Sequence, residues 1–252
     1  MALLLTFAAA ILYLLLPGDQ SMEIIGGTEV HAHSRPYMAL IQYRNKLECG
    51  GTLIKDGWVL TAAHCRVDKT TKVILGAHSQ SKSEVEKQTF TVKHHFQDNY
   101  DGSTHENDLM LLQLKGDMKN SPAVSAFPCL GAGDDVKAGT KCQAVGWGTT
   151  DLYRTKNSDV LMDVDVTIMS RRICNDENHY NNTPKITEDM LCAGNEKGTC
   201  IGDSGGPLIC NGILSGITSF GPSPCSSRQY PGIFTRITAA YIKWIEKKTG
   251  TL

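Results

Sequence analysis

The chain is written in short apolar runs. Tyr37–Tyr43, Gly51–Ile54, Trp58–Thr61, Lys72–Leu75, Leu109–Leu114, Lys141–Gly146, Val160–Ile168, Pro207–Cys210 and Ile213–Ser219 are rich in Val, Ile, Leu and Thr, and most are bounded by Gly, Asn, Asp or Ser. Runs of about four to eight residues with such borders have the length of strands and are too short for most helices. The 24 glycines and 9 prolines are spread along the chain, as many strands joined by turns require. This rhythm predicts an all-β protein of antiparallel barrels or sandwiches. One stretch departs from it. Ile237, Ala240, Tyr241, Trp244, Ile245 and Lys248 recur at helical steps, so Thr238–Lys248 is predicted to be an amphipathic helix whose apolar stripe packs on the core. Lys115–Ala138, with its Gly, Pro, Asp and Lys, reads as a connector between halves.

At 252 residues the chain holds one large domain or two small ones. It is 41% hydrophobic and 20% charged, enough apolar content for a sizeable core. The net charge is -1; removing residues 1–23, which hold Asp19 and Glu23 but no Lys or Arg, leaves 25 basic against 24 acidic residues, or +1. That balance argues against nucleic acid or an acidic membrane as a partner. Nine cysteines point to an oxidising compartment. No CxxC pair occurs, so the usual zinc and thioredoxin spacings are absent, and an odd count leaves at least one thiol free or paired outside the chain.

Residues 2–16 are apolar throughout and end at Pro17-Gly18-Asp19. They fall short of the about 20 residues of a membrane span and match the apolar region of a secretory signal, although no Lys or Arg precedes them. Removal of the signal leaves no segment to insert in a membrane. Downstream stands Glu23-Ile24-Ile25-Gly26-Gly27. A new amino terminus at Ile24 would be a cation on a small apolar plug, able to insert and find a buried carboxylate. A trypsin-like activator would not cut after Glu23.

Three separated stretches carry chemistry. Thr61-Ala62-Ala63-His64-Cys65 puts a histidine at the end of an apolar strand. Asn107-Asp108-Leu109 puts an acid at the mouth of another, and a buried acid needs a partner to offset its desolvation. Gly202-Asp203-Ser204-Gly205-Gly206-Pro207 puts a serine among glycines, which tolerate the tight backbone that aims a hydroxyl and nearby N–H groups into one cavity. Alone, the histidine has a bland reading as a satisfied core residue and the serine as part of a surface turn. Together they supply the nucleophile, base and orienting anion of acyl transfer. Ser204 would attack, His64 would take and return the proton, and Asp108 would hold the imidazole. The N–H groups of Gly202 and Ser204 would form the oxyanion hole.

In this order and spacing, IIGG, TAAHC, DLMLLQL and GDSGGP resemble the chymotrypsin-like serine proteases from Ile24 to about Lys248. Ser34-Arg35-Pro36-Tyr37-Met38-Ala39 and the short acidic propeptide are similar to the granzymes and mast-cell proteases, and Cys174–Asn181 to granzymes A and K. The resemblance implies two six-stranded antiparallel β-barrels with a C-terminal α-helix and the active site between them. Residues 1–21 would be the signal and 22–23 an activation dipeptide. Residues 24–252 would be the protease domain, with barrel one about 24–128, barrel two about 129–237 and the helix about 238–248. A dipeptidyl peptidase would release Ile24, whose amine would pair with Asp203. Ser219 would hydrogen-bond the triad acid, and Phe220 replaces the usual Trp.

The resemblance also implies the disulfides Cys49–Cys65, Cys142–Cys210, Cys174–Cys192 and Cys200–Cys225. Cys129 is left over, either as a buried or inert thiol in a monomer or as the link of a dimer. The specificity pocket would be built from Gly198, Thr199, Ser219, Gly221 and Gly232. Gly198 stands at its base without the charge of a trypsin-like enzyme, so cleavage after Phe, Tyr, Leu or Met is expected. Arg/Lys cleavage, as in granzymes A and K, is the alternative, together with acid selection by Arg228 or a catalytically inactive binding protein. Partners would be protein or peptide substrates, the activating peptidase and serpin-type inhibitors. The protein would be secreted or stored in secretory or cytotoxic granules. No cofactor and no metal are expected: Ala77 stands where a calcium loop needs Glu, and His94-His95 lack a third ligand. Asn181-Asn182-Thr183 is an N-glycosylation acceptor followed by Pro184.

Overall fold

The computed structural model describes residues 27–149, 156–194, 203–221 and 230–250. Its first barrel grows from hairpins. β2 (Met38–Tyr43) turns into β3 (Lys46–Lys55) through Arg44 and Asn45, at φ 51° and 63°. Two positive φ values in a two-residue loop match the right-handed twist of the flanking strands. β3 passes to β4 (Trp58–Thr61) through Asp56-Gly57, where the glycine takes φ 75°. With β5 (Lys72–Leu75), β6 (Gln88–Gln97) and β7 (Met110–Lys115), the hydrogen-bonded order β2-β3-β4-β7-β6-β5 closes on itself.

The second barrel uses β8 (Lys141–Gly146), β9 (Met162–Met169), β10 (Met190–Ala193), β11 (Pro207–Cys210), β12 (Ile213–Phe220) and β13 (Gly232–Arg236). They run in the order β9-β10-β13-β12-β11-β8, and pairing of β8 with β9 completes the ring. Asn211-Gly212, both at positive φ, forms the β11–β12 hairpin. Cys142 and Cys210 are cross-strand partners and are bridged, while Cys174–Cys192 ties the short helix α1 (Arg171–Cys174) to β10. The protein is therefore two closed, six-stranded antiparallel barrels.

The predicted strands are all present, shifted by a few residues at their ends, and the helix α2 (Ala239–Thr249) begins after the side-chain cap of Thr238. The structure adds elements that the pattern does not reveal. β6 buries only Phe90 fully, so it shows no alternation. β1 (Thr28–Glu29) pairs with β9 of the second barrel, although the resemblance places residues 24–128 in the first. At the other end, Tyr241 and Ile245 of α2 join the core cluster of the first barrel. β1 thus joins the sheet of the second barrel, and α2 packs on the core of the first. Among the described residues no helix is long and apolar enough to cross a membrane.

Candidate active site

His64 follows β4 on a loop held at several points. The Cys49–Cys65 disulfide ties it to β3. The residues flanking that bridge are also paired: Arg66 Nε and Nη2 each donate to the Glu48 carboxylate at 2.9 Å. Burial pushes the Glu48 carboxyl up, but the hydrogen bonds and charge of Arg66 outweigh it and hold it low. Gln97, at the end of β6, donates its amide to Ala63 O at 2.9 Å, just before the histidine.

Asp108 lies two residues before β7, with its side chain fully buried (0% exposed). Its Oδ1 accepts the His64 backbone N–H at 2.9 Å, and Oδ2 lies 2.8 Å from His64 Nδ1. The Ser219 hydroxyl donates to the same Oδ2. From β13, the Thr235 hydroxyl donates to the Asp108 carbonyl at 3.0 Å. Desolvation would raise the Asp108 carboxyl; the hydrogen bonds and charge of His64 and the Ser219 hydroxyl more than offset it, and the carboxyl lies below its usual range. A carboxylate at Nδ1 assigns the ring proton to that nitrogen and leaves Nε2 with its lone pair.

Ser204 sits in a turn braced from both barrels. Gly50 N–H of β3 donates to Ser204 O at 2.8 Å, while Gly205 N–H donates to Thr218 O at 2.8 Å. Gly205 has φ 77°, and a Cβ there would lie 2.1 Å from Thr61 Oγ1 and 2.5 Å from Gly50 O. Only glycine fits, and this close approach seats the serine turn on the strand that leads to His64. Asp203 is fully buried and accepts Gly148 N–H at 2.8 Å. A Cβ on Gly146 or Gly148 would come within 2.1 or 2.4 Å of its carboxylate, so its niche also depends on glycine.

Of the expected pocket residues, Ser219 is buried on β12, and Gly221 and Gly232 face each other, a Cβ on Gly221 lying 3.8 Å from Gly232 Cα. Ile24, Gly198, Thr199, Gly202, Arg228 and the Cys200–Cys225 pair lie outside the described residues. Phe220 stacks on His105, with centroids 4.4 Å apart, and meets the Tyr180 edge at 6.0 Å. His105, Thr235, Gly50 and Thr61 escape sequence reasoning. Only the Gly50-Gly51 pair carried a signal, since consecutive glycines in a strand mark close backbone approach.

Cys49, His64 and Cys65 bring potential ligand atoms together, but both sulfurs are committed to the disulfide. His94 and His95 are exposed on β6. Cys129 is an unbridged thiol and is exposed, so it is not buried; the inert thiol and the dimer link both remain. Asn181 is exposed at φ 47°.

The Trypsin family model matches residues 24–245. The chain belongs to the trypsin family of serine proteases. It is 45% identical to granzyme A of Bos taurus over 249 residues, covering 96% of this chain and 95% of that protein. Identity to human kallikrein-8 is 40% over 238 residues, covering 92% and 88%. Among solved structures it superposes on neuropsin, a serine protease expressed in the limbic system of mouse brain, with a TM-score of 0.79 and 38% identity over 88% of this chain and 98% of that one. The likeness to granzyme A is consistent with the granzyme-like branch. This trypsin-family protein is a serine endopeptidase that acts on protein substrates.

Proposed function

We propose that Ser204, His64 and Asp108 carry out peptide hydrolysis through an acyl-enzyme. The carrying observation is the buried Asp108 carboxylate on His64 Nδ1 at 2.8 Å, beside a serine turn bonded to the same barrel. His64 Nε2 takes the Ser204 hydroxyl proton as Oγ bonds to the acyl carbon. The same proton passes to the amine nitrogen as the C–N bond breaks. Water then attacks the ester by the reverse proton path and frees Ser204 and the carboxylate product. The N–H groups of Gly202 and Ser204 hold the oxyanion, a donor pair in which each member is worth about a hundred- to a thousandfold in rate.

The enzyme is made with a signal at 1–21 and is activated by removal of Met22-Glu23. The Ile24 amine then pairs with Asp203, a reading supported by that carboxylate's complete burial between Gly146 and Gly148. The facing glycines 221 and 232 and the uncharged Gly198 favour large apolar or aromatic side chains at P1, worth about 25 cal/mol per Å² buried. The three disulfides among the described residues fit secretion or granule storage. Two experiments test this. An organophosphonate labels mature protein beginning at Ile24 and does not label Ser204→Ala; equal labelling of both overturns the assignment. A peptide library varied at P1 returns Phe, Tyr, Leu and Met; preference for Arg and Lys overturns the pocket reading.

A further inference from the structure

Thr61 is fully buried at the end of β4, three residues before His64. Its hydroxyl donates to Gly50 O at 2.8 Å. The N–H of that same Gly50 donates to Ser204 O, also at 2.8 Å. One residue of β3 is thus gripped from one side by a barrel-one hydroxyl and grips the serine's own carbonyl on the other. The fit leaves no slack, since a Cβ on Gly205 would fall 2.1 Å from Thr61 Oγ1 and 3.1 Å from Ala62 N. Thr61 therefore touches the turn that carries Ser204 and begins the loop that carries His64.

We propose that Thr61 is a positioning residue for Ser204. Its hydroxyl, acting through Gly50, sets the serine turn relative to the His64 loop across the boundary between the barrels. The proposal rests on the role given to Ser204 above. A hydroxyl that only filled the core would affect stability alone. A hydroxyl that sets the attack geometry affects turnover, because displacement of a nucleophile by about 1 Å can cost about a hundredfold in rate.

The test uses mature enzyme beginning at Ile24, with kcat expressed per phosphonate-titrated site and measured well below Tm. Thr61→Val keeps the shape and removes the hydroxyl. It is expected to lower per-site kcat by about tenfold to about a hundredfold while KM stays within about twofold. Thr61→Ser keeps the hydroxyl and drops the methyl, and it retains per-site kcat within about twofold even where Tm falls. The pH midpoint of kcat/KM is unchanged in all variants, because Thr61 does not touch the imidazole. Should Thr61→Val fail to fold, Thr61→Ala against Thr61→Ser, which differ by one oxygen, gives the same comparison. Wild-type per-site kcat in Thr61→Val or Thr61→Ala, with labelling lost in Ser204→Ala, would overturn this proposal alone. Labelling that survives in Ser204→Ala would overturn the reading of Ser204 and this proposal with it.

Discussion

Two histidine–carboxylate pairs of similar length occupy very different parts of the molecule. His64 Nδ1 meets Asp108 at 2.8 Å between the barrels, and His179 Nδ1 meets Asp176 at 2.6 Å in the turn after α1. Both carboxyls lie below their usual range, so neither the contact nor the direction of the shift separates the pairs. Their causes do. At Asp108 burial is the largest influence and is overcome by His64 and Ser219. At Asp176 the hydrogen bond from His179 leads. The Asp108 side chain is 0% exposed and the Asp176 side chain 39%. Asp108 also draws donors from distant strands, whereas Asp176 is served by its own turn through Asn178 N–H and His179. An imidazole–carboxylate contact is thus a common local motif. Site chemistry needs the acid to be dry, charged and held by parts of the chain that local sequence cannot supply.

The sharpest way to break this contrast is Asp108→Asn against Asp176→Asn. The first is expected to lower kcat by about ten-thousandfold with the fold retained, as loss of the orienting carboxylate does in such triads. The second should leave kcat unchanged in the same peptide assay. Next in size is the staple beside His64. Replacing Cys49 and Cys65 together by serine opens a loop of 16 residues and should cost about 3 kcal/mol in denaturant unfolding. Thr235→Val leaves the Asp108 carbonyl without its buried donor and should cost about 1–3 kcal/mol, read by the same unfolding curve.

Acid provides a smaller test. The folded Asp108 carboxyl titrates below its unfolded value, so its ionised form contributes stability that is complete above about pH 4 and is lost as pH falls through the folded pKa. Wild-type protein should therefore lose more stability than Asp108→Asn as the pH is lowered below about 4. The smallest effect expected is the change in Tm on Asp176→Asn, since that exposed carboxylate is well solvated in either state.

Legibility in the sequence followed locality. β4, β5, β8 and β11 lie where their apolar runs place them, because a short run between turn residues is a local signal. β6 was hidden because one of its faces looks into solvent and the other buries little besides Phe90. β1 was hidden because a two-residue strand has no pattern and gains its identity from Asp163 and Met162 across the sheet. In the site, His64, Asp108 and Ser204 stood out because their chemistry is carried by side chains in recognisable surroundings. Thr235 did not, being one threonine among many until β13 brings its hydroxyl to Asp108 O.

The sequence by itself determined the all-β rhythm, the terminal helix, the oxidising setting and the residue types available for acyl transfer. Only the tertiary structure decided that Thr235 reaches the Asp108 carbonyl, that His105 stacks on Phe220, and that Gly50 joins Thr61 to Ser204. The physical reason is that these contacts join residues far apart along the chain, several of them through backbone groups that every residue possesses. Nothing in a residue's identity marks such a group as a partner until closure of the two barrels brings it there.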